Sequence, residues 1–132
     1  MSIHATTAST PRSHRMRVTY VALGALIVAA IVLELARRGG GYAQLTAFGL
    51  GPDLALVLGA GTGLARGQLH PRAVTAYNLL HRFWGPAALG TLTIAGVLPT
   101  AFSIGALAWT LHVALDRAVG YGLRTPDGFQ RA

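Results

Sequence analysis

Four long apolar runs, separated by short polar segments, dominate the pattern of the chain. The runs cover residues 18–36, 43–65, 73–98 and 101–119. An α-helix needs about 20 mostly apolar residues to cross a bilayer. The pattern therefore predicts an all-α integral membrane protein, a four-helix bundle formed by residues 18–119.

Polar segments precede and follow the four runs. Residues 1–17 contain Ser, Thr, Pro, His and Arg and predict a disordered basic N-terminal tail. We expect residues 120–132 to form a cytoplasmic C-terminal tail. A basic tail before an apolar run is also typical of a signal peptide. The first run is long for that, however, and no small-residue cleavage motif follows it, so we expect a retained helix.

The second run is interrupted in its middle by Gly51-Pro52-Asp53. Proline has no backbone N–H and disfavours helical conformation in the residue before it. We expect the second helix to be kinked or broken at Pro52. Broken helices at membrane depth often line a binding site, but an ordinary proline kink is an equal alternative.

Composition favours lipid over water as the surroundings of this chain. Hydrophobic residues make up 52% and charged residues 11% of it, against about 25% charged residues in soluble domains. A soluble helical bundle is therefore the less favoured alternative. With no cysteine, the chain has neither a disulfide nor a thiolate metal site.

The net charge is +7, and all 11 basic residues are arginines. The arginines lie mostly between apolar runs and form no groove with interleaved aromatic residues, so we expect no nucleic-acid partner. We expect the lipid bilayer and anionic lipid headgroups as partners instead. A homo-oligomer is compatible with the pattern.

Charge also predicts the orientation of the bundle. Four crossings place both termini and the middle loop on one side. That side carries most of the arginines: Arg12, Arg15, Arg17, Arg66, Arg72, Arg124 and Arg131. The other side carries Arg37 and Arg38. Because positive loops stay in the cytoplasm, we expect a multi-pass protein of the bacterial cytoplasmic (inner) membrane with both termini cytoplasmic.

Several ionisable residues lie within the apolar runs, where they are costly and suggest function. At a rise of about 1.5 Å per residue, Asp53, His81, His112 and Asp116 fall in the inner half of the membrane or near its midplane. His112 and Asp116 are four residues apart and share a helix face, as do Asn78 and His81 at a spacing of three. These depths and spacings allow the residues to form one polar cluster that opens toward the cytoplasm.

This cluster has two interpretations. Imidazole and carboxylate groups bind zinc and other divalent ions, and metal-bound water is a nucleophile near neutral pH. Alternatively, the polar side chains only fix helix packing, with Asp116 paired to Arg82 or His81 bonded to Asp53.

In the first interpretation, Asp53, His81, His112 and Asp116 hold the metal, and Arg82 or Arg117 steadies an anionic group. The supporting polar residues are Tyr77, Asn78, Arg82, Arg117 and Tyr121. The protein is then a membrane-embedded, metal-dependent hydrolase acting on a lipid-like or amphipathic substrate. In the second it is a non-catalytic structural, partner-binding or ion-handling module. The residues alone leave both open.

Three stretches carry a resemblance to a known family. They are GPDLALVLG (51–59), AYNLLHRF (76–83) and LHVALDRAVGYGLRTPDGF (111–129). Together they resemble the uncharacterised bacterial membrane family known as domain of unknown function family 4260, over roughly residues 18–129. The loop at residues 61–71 is longer than is usual in that family, and the tail is shorter. The resemblance implies a small four-helix integral membrane protein and no particular activity.

A second resemblance concerns the order of the polar residues. Small bacterial inner-membrane proteins classed as metal-dependent hydrolases have Pro-Asp, then a His-containing stretch, then His-x-x-x-Asp late in the chain. Here these correspond to Asp53, His81, and His112 with Asp116. This chain lacks their second histidine in the middle motif, and no second acid follows Pro52-Asp53.

The charge distribution predicts the outcome of reporter fusions. Alkaline phosphatase fused after Arg38 is expected to be active, because that loop faces outward, whereas green fluorescent protein fused after Arg66 is expected to fluoresce in the cytoplasm. Enzyme activity and fluorescence of the two fusions, each made with both reporters, give the measurement. The reverse pattern would contradict four crossings with both ends inside.

Overall fold

The computed structural model describes residues 11–131, and the all-α prediction is confirmed for them. In chain order the helices are α1 (Pro11–Arg38), α2 (Tyr42–Leu50), α3 (Leu54–Leu58), α4 (Pro71–Leu80), α5 (Trp84–Ile94) and α6 (Phe102–Val119). A 3₁₀ turn, Gly51–Asp53, joins α2 to α3.

Helix α6 lies at the centre of the fold. It packs against α1, α2 and α5, while the short helix α3 packs against α4. Ile104 and Val113 of α6 are among the largest fully buried side chains. A smaller apolar cluster, Ala55, Leu69, Ala73 and Tyr77, holds α3 and α4 together. Polar residues on α6 are therefore placed in the interior.

Helix α1 begins earlier than its apolar run. Residues 11–17 form its first turns instead of belonging to a disordered tail, and the rest of the predicted tail, residues 1–10, lies outside the described residues. Within α1, Ser13–Arg38 is long and apolar enough to cross a membrane, judged by length and composition alone. Only 17% of the most apolar 18-residue stretch of α1 is buried, so the other helices do not surround it.

The second run is helical over a shorter stretch than its 43–65 pattern predicts. Helix α3 ends at Leu58, and residues 59–70 form a loop. Gly59, Gly61 and Gly63 follow closely on one another there, and each glycine in a helix costs about 1 kcal/mol relative to alanine. Apolar composition alone did not reveal this end.

The third run is two helices and not the single helix predicted over 73–98. The chain leaves helical conformation at residues 81–83, between α4 and α5. Pro86 explains the interruption, because a continuous helix would need its missing N–H to bond the carbonyl of Arg82 and would bring its ring against that carbonyl. Helix α5 then ends at Ile94, before Gly96 at a φ of 74°.

The carbonyl groups at the end of α4 receive hydrogen bonds from α6. The indole Nε1 of Trp109 donates to the Leu80 carbonyl at 2.7 Å. The Arg117 guanidinium donates to the His81 carbonyl, also at 2.7 Å. The last carbonyls of a helix lack partners within it, so these two side chains stabilise the interruption.

The C-terminal segment packs against the loop that follows α3. The backbone N–H of Leu69 donates to the Gly128 carbonyl at 2.9 Å. The side-chain amide of Gln68 donates to the Asp127 carbonyl at 2.8 Å. An isolated antiparallel bridge joins Arg124 to Gln130. We call residues 59–70 and 120–131 together the tail–loop cap.

Gly128 is predicted to be essential to the tail–loop cap. Its φ is 99°, and a Cβ there would overlap the Leu69 carbonyl. Gly63 also has a positive φ, 75°, but has open space around it. Alanine at either position costs about 1–2 kcal/mol of backbone strain. Gly128→Ala should lower the Tm in detergent below that of Gly63→Ala, because it also displaces Leu69. Equal Tm values would contradict this packing.

Candidate metal centre

Four side chains from three parts of the chain meet beside the interruption between α4 and α5. Asp53 comes from the 3₁₀ turn, His81 from the residue after α4, and His112 and Asp116 from α6. We call these four residues the His/Asp cluster. The structure thus brings together the four residues that the sequence predicts as neighbours.

The ring nitrogens and carboxylate oxygens of the His/Asp cluster lie close together. The two histidine Nε2 atoms are 3.3 Å apart. His81 Nε2 lies 3.4 Å from an Asp116 oxygen and 3.8 Å from an Asp53 oxygen. His112 Nε2 lies 3.4 Å from the Asp53 oxygen and 3.8 Å from the Asp116 oxygen. Both imidazoles thus face both carboxylates.

Exposure rises across the cluster from one side to the other. The side chain of His81 is 0% exposed, His112 11%, Asp116 22% and Asp53 49%. The histidines therefore form the inner wall of the cluster. The Asp53 carboxylate marks its open side.

Backbone carbonyls determine the orientation of both imidazole rings. His81 Nδ1 lies 2.8 Å from the Tyr77 carbonyl, and His112 Nδ1 lies 2.8 Å from the Gly49 carbonyl. A carbonyl oxygen only accepts, so each Nδ1 carries the proton and donates it. In a neutral imidazole, Nε2 is then the acceptor and presents a lone pair. Both lone pairs are directed into the cluster.

Distances within the cluster fit metal coordination better than hydrogen bonding. Charge-assisted N–H···O bonds are about 2.7–2.9 Å long, whereas the shortest nitrogen–oxygen distance here is 3.4 Å. Tetrahedral zinc holds N and O ligands at about 2.0–2.2 Å, which separates the ligand atoms by about 3.3–3.6 Å. The three shortest separations, at 3.3, 3.4 and 3.4 Å, fall within that range.

Asp53, His81 and His112 each offer one ligand atom within 4.8 Å of the others. An Asp116 oxygen lies beside this group, within 3.8 Å of both Nε2 atoms. Both histidines also donate their other ring N–H to a carbonyl, as metal-ligating histidines do. The residues present therefore fit a divalent metal ion.

Two of the predicted supporting residues contact the cluster directly. The Tyr77 ring stacks on the His81 ring, with centroids 3.9 Å apart and planes 15° from parallel. Arg117 bonds the His81 carbonyl and, at 3.0 Å, the carbonyl of Tyr121. Tyr121 is thus linked to the cluster through its backbone, and its side chain lines a cavity described below.

The other two supporting residues lie elsewhere. Asn78 binds the backbone of Arg124, accepting from its N–H at 2.7 Å and donating to its carbonyl at 2.9 Å. Arg82 is exposed and lines a separate surface cavity with Arg117 and Trp84. Within residues 11–131, Asp116 approaches the two histidines and makes no ion pair with Arg82.

Three contributors to the site were not among the predicted residues. Gly49 supplies only a carbonyl, which leaves no signal in a sequence. Trp109 lies three residues before His112, so helical spacing places it on the same face of α6. Arg124 stands over the Tyr77 ring, 4.8 Å from its centroid, through a long-range contact that spacing does not reveal.

Two cavities flank the 3₁₀ turn. The first, about 420 Å³, we call the polar cavity; its lining residues are Asp53, Leu56, Gly67, Tyr77, Asp116, Tyr121, Arg124 and Gln130. The second, about 380 Å³, we call the apolar cavity; its lining residues are Ala47, Phe48, Gly51, Pro52, Leu54, Ala55, Leu58, Leu80 and Trp109. Pro52 and Asp53, adjacent in the chain, therefore face different cavities.

Comparison with known proteins supports one of the two resemblances. No curated protein and no solved structure matches the chain, and nothing found supports the resemblance to metal-dependent hydrolases. A family model does match, over residues 18–132, and its description is "Domain of unknown function (DUF4260)". The match extends over the whole His/Asp cluster and the tail–loop cap, and the chain belongs to this family.

Proposed function

We propose that this protein is a multi-pass membrane hydrolase whose His/Asp cluster binds a divalent metal ion, zinc being the best fit. One observation carries the proposal. The two Nε2 atoms lie 3.3 Å apart, while both Nδ1 atoms donate to carbonyls. Two nitrogen lone pairs and two carboxylates then converge with no proton between the two nitrogens, and these groups repel one another. A cation bound between them would replace the repulsion with attraction.

A purely structural role fits the same geometry less well. Buried polar groups that only fix packing are satisfied by direct hydrogen bonds. Here the imidazole–carboxylate distances of 3.4–3.8 Å are longer than those of direct bonds, although the protons on both Nδ1 atoms are well placed. The cluster is arranged around a point between its members.

Exposed apolar side chains support the multi-pass arrangement. Large apolar residues are exposed on helices beyond α1, including Leu50 at 65%, Val57 at 72% and Ile94 at 90%. Monomeric soluble proteins rarely expose extended apolar surface. In our proposal α1, α2 with α3, α4 with α5, and α6 are the four crossings, with both termini cytoplasmic. Carbonyls freed at membrane depth need partners inside the protein, and Trp109 and Arg117 supply them.

The cavities suggest an amphipathic substrate with an acyl chain. The apolar cavity lies near the cluster, because Pro52 and Leu80 line it and each directly precedes a cluster residue. Its volume of about 380 Å³ is typical of small-molecule sites. An acyl chain there would place its ester beside the cluster and its head in the polar cavity.

The proposed reaction is hydrolysis of that ester. A bound zinc ion would polarise the acyl carbonyl and lower the pKa of water. The hydroxyl of water joins the acyl carbon, the acyl–oxygen bond breaks, and the remaining proton passes to the leaving oxygen. No oxidant or reductant is required. The chain's own contribution is to hold the ligands and to direct the acyl chain away from water.

Metal content tests the first step of the proposal. Protein purified in detergent without chelator should contain about one zinc per chain, because Asp53, His81 and His112 form one group of ligand atoms. His112→Ala and His81→Ala should lose most of it, whereas His14→Ala, on the exposed part of α1, should keep it. Inductively coupled plasma mass spectrometry measures the content, and circular dichroism shows whether each variant folds.

Wild-type protein that carries no divalent metal, and takes none up from added zinc, would exclude the metal centre. Equal metal content in all the histidine variants would place the metal elsewhere. Either result would leave the cluster as a packing device within a non-catalytic module.

The apolar cavity predicts a preference for longer acyl chains. Zinc-loaded protein should hydrolyse p-nitrophenyl octanoate with a kcat/KM about tenfold or more above that for the acetate, since each buried CH₂ contributes about 0.8 kcal/mol. Ala47→Phe should narrow the cavity and reduce the octanoate rate while leaving the acetate rate unchanged. Release of p-nitrophenol is followed by absorbance.

Ala43→Phe, on the same helix but outside the cavity lining, is the matched control. His112→Ala should hydrolyse neither ester. Equal rates for the two esters, or octanoate hydrolysis that survives loss of the metal, would contradict the proposed binding mode.

A further inference from the structure

Arg124 is held in a fixed position although it lies outside the helices. The Asn78 side chain bonds both its backbone N–H, at 2.7 Å, and its carbonyl, at 2.9 Å. The bridge to Gln130 fixes the same residue from the tail side. Asn78 belongs to α4, so Arg124 is anchored to the helix that directly precedes His81, the innermost cluster histidine.

The guanidinium of Arg124 is only partly used by the protein. Its Nη1 donates to the Gly67 carbonyl at 2.9 Å and to the Gly128 carbonyl at 2.7 Å. Its Nε is buried without a hydrogen-bond partner, and Nη2 has no acceptor among residues 11–131. A buried donor left unpaired costs about 1–3 kcal/mol, so this arrangement needs an explanation.

The surroundings connect this group to the His/Asp cluster. The guanidinium lies over the Tyr77 ring at 4.8 Å, and the same ring stacks on His81, with centroids 3.9 Å apart. Arg124 also lines the polar cavity together with Asp53 and Asp116. Arg124 and the carboxylates of the cluster thus share one cavity.

The charge of the polar cavity depends on the metal. Two carboxylates and one guanidinium line it, so its formal charge is negative without a cation in the cluster. A divalent ion makes the formal charge positive. An anion is therefore repelled by the metal-free site and attracted by the metal-loaded one.

We propose that Arg124 binds a phosphate group of the substrate in the polar cavity. Guanidinium donates two parallel N–H bonds to phosphate oxygens, and Nε and Nη2 are the donors of Arg124 that the described residues leave unused. This inference rests on the proposed function, because it assigns the polar cavity to the substrate's head. The phosphate comes either from a lipid headgroup or from a soluble phosphate ester.

Inorganic phosphate is the probe for the shared chemistry. Isothermal titration of zinc-loaded protein in detergent should show phosphate binding that weakens about tenfold or more in Arg124→Lys, which keeps the charge but loses the paired donors. Arg124→Met should bind no phosphate. Both variants should retain about one zinc per chain, because Arg124 is not a ligand. Arg66→Met, exposed in the adjacent loop, removes an equal charge and should bind as the wild type does.

The outcomes separate this inference from the proposed function. Full zinc content with unchanged phosphate affinity in Arg124→Lys would overturn the phosphate site and leave the metal centre standing. Phosphate binding that depends on Arg124 in a protein that takes up no zinc would support the phosphate site and exclude the metal centre. Neither zinc nor phosphate binding would overturn both. Should Arg124→Met fail to fold, Arg124→Lys decides.

Two further probes identify the source of the phosphate. Dihexanoyl phosphatidic acid carries the phosphate on a short-chain lipid, and dihexanoylglycerol is its neutral counterpart. Tighter binding of the phosphatidic acid than of inorganic phosphate, with weak binding of the neutral lipid, supports a lipid headgroup. Equal binding of the phosphatidic acid and inorganic phosphate supports a soluble phosphate ester. Binding of the neutral lipid as tightly as the phosphatidic acid would contradict a phosphate site.

Discussion

Two hydrogen bonds from imidazole to backbone determine the geometry of the whole site. The Gly49 and Tyr77 carbonyls fix the rings of His112 and His81. The first carbonyl lies where α2 gives way to a 3₁₀ turn, and in that turn its partner would be the N–H that Pro52 lacks. The second lies in the last turn of α4. The Tyr77 carbonyl also accepts the His81 backbone N–H at 3.0 Å, so one carbonyl holds both the backbone and the ring of His81. The interruption after α2 and the last turn of α4 thus supply the two acceptors that direct both Nε2 atoms into the cluster.

Helix α6 complements these interruptions along a single face. Trp109, His112 and Asp116 follow one another at spacings of three and four residues and share that face. Arg117 is next to Asp116, and its long side chain also reaches the end of α4. Two of them stabilise freed carbonyls and two belong to the His/Asp cluster. An apolar helix therefore carries a histidine, an aspartate and an arginine within six residues because each meets a different group of one irregular backbone.

Sequence pattern predicted the cluster better than the path of the backbone. Depth and spacing brought Asp53, His81, His112 and Asp116 together, since each lies in an apolar run that must bury it. The break at residues 81–83 was missed because Pro86 lies in uninterrupted apolar sequence, and hydropathy does not register a missing N–H. The missed break also explains why Asn78 does not lie beside the cluster as predicted. Spacing of three places it beside His81 only within a helix, and His81 lies just past the end of α4, so Asn78 faces Arg124 instead.

The separation of the cluster residues along the chain has a consequence for biosynthesis. Asp53 is translated long before Asp116, and the segment that contacts both through the polar cavity ends near Gln130. A ribosome that has delivered only the first three runs has released two ionisable residues, Asp53 and His81, without their partners. The side chains of Asp53 and His81 therefore lack their cluster partners until residues 112–116 of α6 have been synthesised, so the site assembles only after the helices that precede α6 have been made.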